Sequence, residues 1–217
     1  MADGVDTNYV DLSDANLDGA DLSGAQMSEA SFLRTTLSGT DFGCRRRWTL
    51  NSLLIPVLSC ERSQLVGARF FENHLVRTIF VDAVLTSAIF GRSEKNPFLA
   101  EQIENVRFNG AKLNKAIFSY AFVINTDFSK SNLQGAAFDH VEVSGNTKFI
   151  GADLSLTVFY SLKFTSSGEL GRGVIDFSDA TLKGPYVDGH PTSEDDFKGA
   201  KFCNTQFSST ISKRDCK

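Results

Sequence analysis

The chain has 217 residues, 41% hydrophobic and 22% charged, with 22 Lys and Arg against 26 Asp and Glu for a net charge of −4. That length and apolar content are enough to build a core. No stretch approaches the ~20 apolar residues of a membrane-crossing helix and no basic stripe suits a nucleic-acid backbone, so neither membrane insertion nor nucleic-acid binding is expected.

Met1-Ala2-Asp3-Gly4 has neither the basic region nor the apolar run of a signal peptide. Residues 1–42 hold eight acids (Asp3, Asp6, Asp11, Asp14, Asp18, Asp21, Glu29, Asp41) against Arg34 alone, a local net of −7. The remainder is near neutral.

From Leu12 a large apolar residue returns every five positions, as Leu17, Leu22, Met27, Phe32, Leu37 and Phe42. The beat resumes as Leu65, Phe70, Leu75, Phe80, Leu85 and Phe90, and again from Ile103 through Val143. All of the 19 Phe fall on it except Phe71, Phe98 and Phe122. Two positions before each beat sits a small residue, most often alanine, as in Ala15, Ala20, Ala111 and Ala116. A period of five belongs neither to a helix nor to a flat strand, so the repeat itself sets the architecture. Between Val143 and Phe149 the spacing is six, beside Gly145 and Asn146. One extra residue next to a glycine predicts a bulge.

Ala15-Asn16-Leu17-Asp18-Gly19, Ala20-Asp21-Leu22-Ser23-Gly24 and Ala111-Lys112-Leu113-Asn114-Lys115 resemble the A-(D/N)-L-x-x unit of the pentapeptide-repeat family. Some thirty such units cover roughly three quarters of the chain. The resemblance implies an all-β fold, a right-handed quadrilateral β-helix in which four pentapeptides complete one square coil. Roughly eight coils at about 4.8 Å make a rod on the order of 40 Å long. Aliphatic and Phe residues alternate along the beat, which on a four-sided coil places the Phe ladders on opposite faces. The expected organisation is a single domain over residues 1–217.

Short loop or helical insertions are expected at about 43–64, 91–102 and 165–174, with a tail at 208–217. The first contains Arg45, Arg46, Arg47 and Trp48, candidate anchors for a protein partner. Leu50, Leu53, Leu54, Val57 and Leu58 follow at the spacing of one helical stripe, which Pro56 would end. In the second, Asn96-Pro97 reads as a helix cap and first turn. The third is rich in Ser and Gly. Block 175–207 is the most degraded, with Thr192 on the beat and Gly184-Pro185 and His190-Pro191 interrupting it.

Cys44 and Cys60 bracket the first insertion, and Cys203 and Cys216 bracket the tail. Of the three pairings four cysteines allow, bracketing favours 44–60 and 203–216. The Cys203…Cys216 segment also resembles a tail of cyanobacterial and thylakoid-lumen pentapeptide proteins, without their Pro-Asp-Gly turn. Paired cysteines imply an oxidising compartment, periplasm or thylakoid lumen, and free thiols the cytoplasm. Both readings stay open.

His74, His140 and His190 are far apart, and no metal-binding, nucleophile-elbow or phosphate-loop motif occurs. No catalytic residue, metal or cofactor is expected, and the chain reads as a non-enzymatic structural or protein-interaction module with an unknown protein partner. The alternative implied by the resemblance is a DNA mimic directed at DNA gyrase or topoisomerase. For assembly, a monomer and an end-to-end homodimer are both retained.

Overall fold

The computed structural model describes residues 10–22, 25, 27, 30–32, 35–37, 40, 42, 44–50, 56–71, 74–91, 101–165, 175–184, 186–189, 197–207, 210–212 and 215. Its geometry follows from one pairing rule. Arg107 pairs in parallel with Asp127 and Lys112 with Asn132, and Ile117 pairs with Ala137 and Phe122 with Glu142. Positions five apart therefore lie on four successive sides, and the chain regains its starting side after twenty residues. The sides are numbered here as face 1 (centred on Phe118), face 2 (Val123), face 3 (Phe128) and face 4 (Leu133).

Along face 1 the pairings run Asp11–Ser31–Arg69–Ile89–Ile117–Ala137–Val158–Tyr186–Gln206, nine stacked rungs of a β-solenoid. Steps longer than twenty mark where sequence has been inserted between rungs. The expected extra residue near Gly145 is one of them. Ile124 pairs with Ser144, twenty residues on, but Asp127 pairs with Lys148, twenty-one on. Gly145 absorbs the surplus at φ +65°, where a Cβ would come within 2.3 Å of Asn125 Oδ1, and the Asn146 amide donates to that oxygen.

The corners explain the rest of the unit. The Ala136 amide donates to the Leu133 carbonyl and the Ser131 amide to that of Phe128, closing four-residue turns. Their third residues, Gly135 and Lys130, have φ of +68° and +59°, as a type II turn demands. The Asp or Asn before the beat caps the same corner. Asp127, Asn132, Asp153 and Asp176 each accept the amide two residues on, from Ser129, Gln134, Ser155 and Ser178. This is the local side-chain bond that favours Asx residues at turns.

Large beat residues fill the interior, and from Phe32 to Phe128 every described one has 0% exposure. Burying each contributes about 1.5–3 kcal/mol. Phenylalanines form two ladders, Phe32-70-90-118-138-159 on face 1 and Phe42-80-108-128-149-177 on face 3. Ring centroids step by 4.8–5.3 Å within each. Stacked strands repeat at about 4.8 Å, whereas carbon atoms in contact lie roughly 3.5–4 Å apart. Rings perpendicular to the axis would leave a gap, and tilting them by roughly 40° closes it. Two facing ladders tilted in opposite senses should then meet nearly at right angles. Across the core, rings of the two ladders meet at 73–88°. The Phe ladders lie on opposite faces, as the alternation predicts.

Where the small position is Thr instead of Ala, its hydroxyl is satisfied inside. Thr157 Oγ1 donates 3.0 Å to the Leu133 carbonyl, Thr78 donates 2.7 Å to Leu37, and Thr205 donates 2.6 Å to Leu182. Each buried hydroxyl thus adds a bond between coils and leaves no unpaired polar group.

The insertion at 43–64 is a correction to the expected loop or helix. Strands Cys44–Leu50 and Pro56–Arg62 form an antiparallel hairpin. Its two ends must re-enter the rod one corner apart, and a hairpin brings the chain back with its backbone paired. A helix of about eighteen residues would end some 27 Å from its start. Pro56 stands first in its strand, where a missing amide is tolerated. Of the second insertion, Glu101–Glu104 is already a strand paired with Ala121–Ile124; Asn96-Pro97 lies outside the described residues, as do residues 166–174 and Thr192.

The last rung, Thr205–Phe207, is covered by an antiparallel strand, Thr210–Ser212. Asp215 then clasps Phe202, its amide donating 2.8 Å to the Phe202 carbonyl and its Oδ2 accepting the Phe202 amide at 2.9 Å.

Candidate interaction surfaces

With the interior filled, chemistry is confined to outward positions. Face 3 carries an axial row Arg107–Asp127–Lys148–Asp176, one residue per rung with alternating sign. Burial pushes the Asp127 carboxyl up, but hydrogen bonds from Ser129 and Asn109 and the charge of Lys148 bring it net below its ordinary 3.8. Asp176 is lowered chiefly by Ser178, with help from Lys148.

A carboxylate held low in the folded state is protonated more readily in the unfolded chain. Its stabilisation is complete above 3.8 and lost as pH falls through the lower folded value. Melting temperature should therefore fall with pH below about 4, and the double variant D127N/D176N should show a shallower fall. Asparagine keeps the turn acceptor, as Asn16 and Asn132 already do. An identical pH profile in the variant would contradict this assignment.

Face 1 is different. Its outer row reads Ile89–Ile117–Ala137–Val158, each paired with the next. Beside it at the corner with face 2, Tyr120 stacks on His140 at 4.6 Å, and Tyr160 meets His140 edge-on at 5.4 Å. His140 Nδ1 lies 2.7 Å from Asp139 Oδ1. Among the described residues the exposed large hydrophobics are Ile117, Phe122, Leu156, Val158 and Tyr160, at 39–60% exposure. Ile117, Leu156, Val158 and Tyr160 belong to face 1 or its corners and Phe122 to the adjoining face 2, all within three rungs.

The residues singled out in sequence lie elsewhere. Arg45, Arg46, Arg47 and Trp48 stand in register with Glu61, Cys60, Ser59 and Leu58 in the hairpin. That hairpin leaves the rod between Phe42 on face 3 and Leu65 on face 4, the corner diagonal to the aromatic one. Hairpin and apolar face are therefore separate surfaces. The sequence reading missed the apolar face, because outward positions carry no beat.

Cys44 is opposite Arg62 and Cys60 opposite Arg46, a diagonal relation. Diagonal neighbours lie about 7–8 Å apart, longer than the usual disulfide Cα separation of about 5.5–6 Å. Cys203 is disulfide-bonded. Among the described residues, no group of three His, Cys, Asp or Glu could hold a metal ion, and no helix is long and apolar enough to cross a membrane.

The family model for pentapeptide repeats matches eight copies, over residues 8–43 and 107–145. Both stretches are built of pentapeptide repeats. No curated protein matches the sequence. Among solved structures, HetL, a pentapeptide-repeat protein involved in heterocyst differentiation regulation in the cyanobacterium Nostoc sp. strain PCC 7120, is 16% identical. The match covers 95% of this chain and 92% of HetL with a TM-score of 0.40. A trypsin-treated variant of QnrB1, a plasmid-mediated fluoroquinolone resistance protein, is 13% identical over 92% of this chain and 90% of that one, TM-score 0.34. A pentapeptide-repeat protein of the Arabidopsis thaliana thylakoid lumen is 20% identical over 76% and 67%, TM-score 0.19. At such scores, function rests on this chain's own residues.

Proposed function

We propose that this chain is a non-catalytic, rigid pentapeptide-repeat interaction module that presents face 1 to a protein partner. The observation that carries this reading is the gathering of the exposed large apolar residues on face 1, its corners and the adjoining Phe122, while face 3 carries one charge per rung from Arg107 to Asp176. Contiguous exposed apolar surface on a soluble protein marks a place of association, and solenoids offer long flat surfaces for it. The hairpin bearing Arg45, Arg46, Arg47 and Trp48 is a second, separate contact arm. Cys216 follows the residue that clasps Phe202, which favours a Cys203–Cys216 staple and an oxidising compartment.

The gyrase-directed alternative draws less support. Asp11, Asp127, Asp153 and Asp176 are already engaged in capping corners, and alternating charge on face 3 does not resemble a duplex backbone. The test is affinity capture with the wild type, an I117E/V158E variant and a variant whose hairpin is trimmed. These outward substitutions should leave the melting temperature nearly unchanged. A partner retained by the wild type and lost with I117E/V158E supports the reading; one that binds all three equally refutes it.

A further inference from the structure

The two ends of the rod are built differently, and the difference points to a second binding site. At the Thr205–Phe207 end, the antiparallel strand Thr210–Ser212 takes up the outward backbone groups. At the other end, Ser31 and Thr36 hold the amides and carbonyls flanking Asp11 and Asn16, at Val10, Leu12, Ala15 and Leu17. The amide and carbonyl of Asp11 and Asn16 themselves face along the axis, away from the rod. Among the described residues, none pairs with them.

Among the described residues, the core is also less enclosed there. Leu12, Leu17, Leu22 and Met27 are only partly buried, whereas Phe32, Leu37, Phe42 and Leu65 one rung in have 0% exposure. The surrounding charge is of one sign, with Asp11, Asp14, Asp18 and Asp21 on this rung and Arg34 the only base in residues 1–42. An unpaired strand edge is a template for another strand. A second copy in head-to-head contact would set two acidic rims together and be repelled, whereas a strand carrying Lys or Arg would be attracted.

We infer that this acidic end is a strand-addition site for a basic segment of another protein. The segment pairs with the Asp11–Asn16 edge and lays apolar side chains over Leu12, Leu17 and Leu22. This surface is distinct from face 1, and either could fail without the other.

The probe is a fluorescein-labelled octapeptide of alternating Lys and Val, with a Glu–Val octapeptide as control. Binding is followed by fluorescence anisotropy and located by amide hydrogen exchange. The Lys–Val peptide should bind, slow exchange at Asp11 and Asn16, and lose at least tenfold in affinity between 50 and 500 mM salt, roughly the loss expected for a few screened charges. A comparable loss is expected with D11N/D14N/D18N/D21N, whose asparagines keep the turn acceptors and tolerate left-handed φ. The Glu–Val peptide should not bind. The proposal is overturned if the Lys–Val peptide fails to bind, is insensitive to salt, binds the four-Asn variant equally, or protects amides elsewhere. Light scattering at twice the monomer mass, with Asp11 and Asn16 already protected, would assign the end to a second copy and also overturn it.

Discussion

Replacing Phe128 with alanine is expected to lower the unfolding free energy by about 3–5 kcal/mol, the usual range for an aromatic side chain removed from a packed core. Phe128 is enclosed on four sides. Phe108 and Phe149 stack on its two faces at 4.9 Å each, and Phe118 and Phe138 meet it edge-on at 5.7 and 6.3 Å. The rungs are held at strand spacing by backbone hydrogen bonds, so neighbours cannot collapse into the vacated space. Serine should cost more, since it adds a buried hydroxyl with no assured partner. For a chain of this size, 1 kcal/mol shifts the melting temperature by about 2–4 °C, so thermal unfolding gives a clear reading. An unchanged melting temperature would mean that Phe128 is not in the core.

The second large effect is a contrast between two single-residue deletions. Removing Lys130 leaves three residues instead of four between Phe128 and the next beat position, Leu133, so one side of the square cannot close. Every later residue is then one step out of register, which exchanges inward and outward side chains. The cost should be several kcal/mol, visible as a fall of ~10 °C or more in melting temperature. Removing Gly145 does the opposite. It restores the five-residue spacing from Val143 to Phe149 and the twenty-residue offset that holds between Arg107 and Asp127. Losing the Asn146–Asn125 bond should cost about 1 kcal/mol. Equal damage from the two deletions, measured by thermal unfolding, would show that the five-residue register does not govern the fold.

Much of this architecture is legible in the bare sequence because it is a repeat in which each unit meets the same constraint. Phe at every tenth position has to form a ladder, Ala two residues earlier has to fit beside it, and Gly145 with one surplus residue has to bulge. The hairpin was not legible in that way. Leu50, Leu53, Leu54, Val57 and Leu58 fit a helical stripe, and only the need to return within one corner, from Phe42 to Leu65, decides for two strands. The buried threonines were hidden by their polarity, since their partners are carbonyls some twenty or more residues away, as Leu133 is for Thr157.

Face 1 was the least legible. Ile89 and Ile117 are stacked neighbours twenty-eight residues apart, Ile117 and Ala137 twenty, and Ala137 and Val158 twenty-one. Insertions of unequal length scramble those separations, and outward positions carry no periodic constraint of their own. The apolar row emerges only when the coils are stacked. Its residues are thus free of the folding requirement, which is why their composition speaks to binding.

Ring-to-ring nuclear Overhauser effects between assigned phenylalanines test the stacked-coil geometry most directly. Cross-peaks should join Phe80 to Phe108, Phe108 to Phe128, and Phe128 to Phe149, at separations of 28, 20 and 21 residues. Contacts limited to residues three or four apart, or phenyl protons exchanging magnetisation with water, would contradict it.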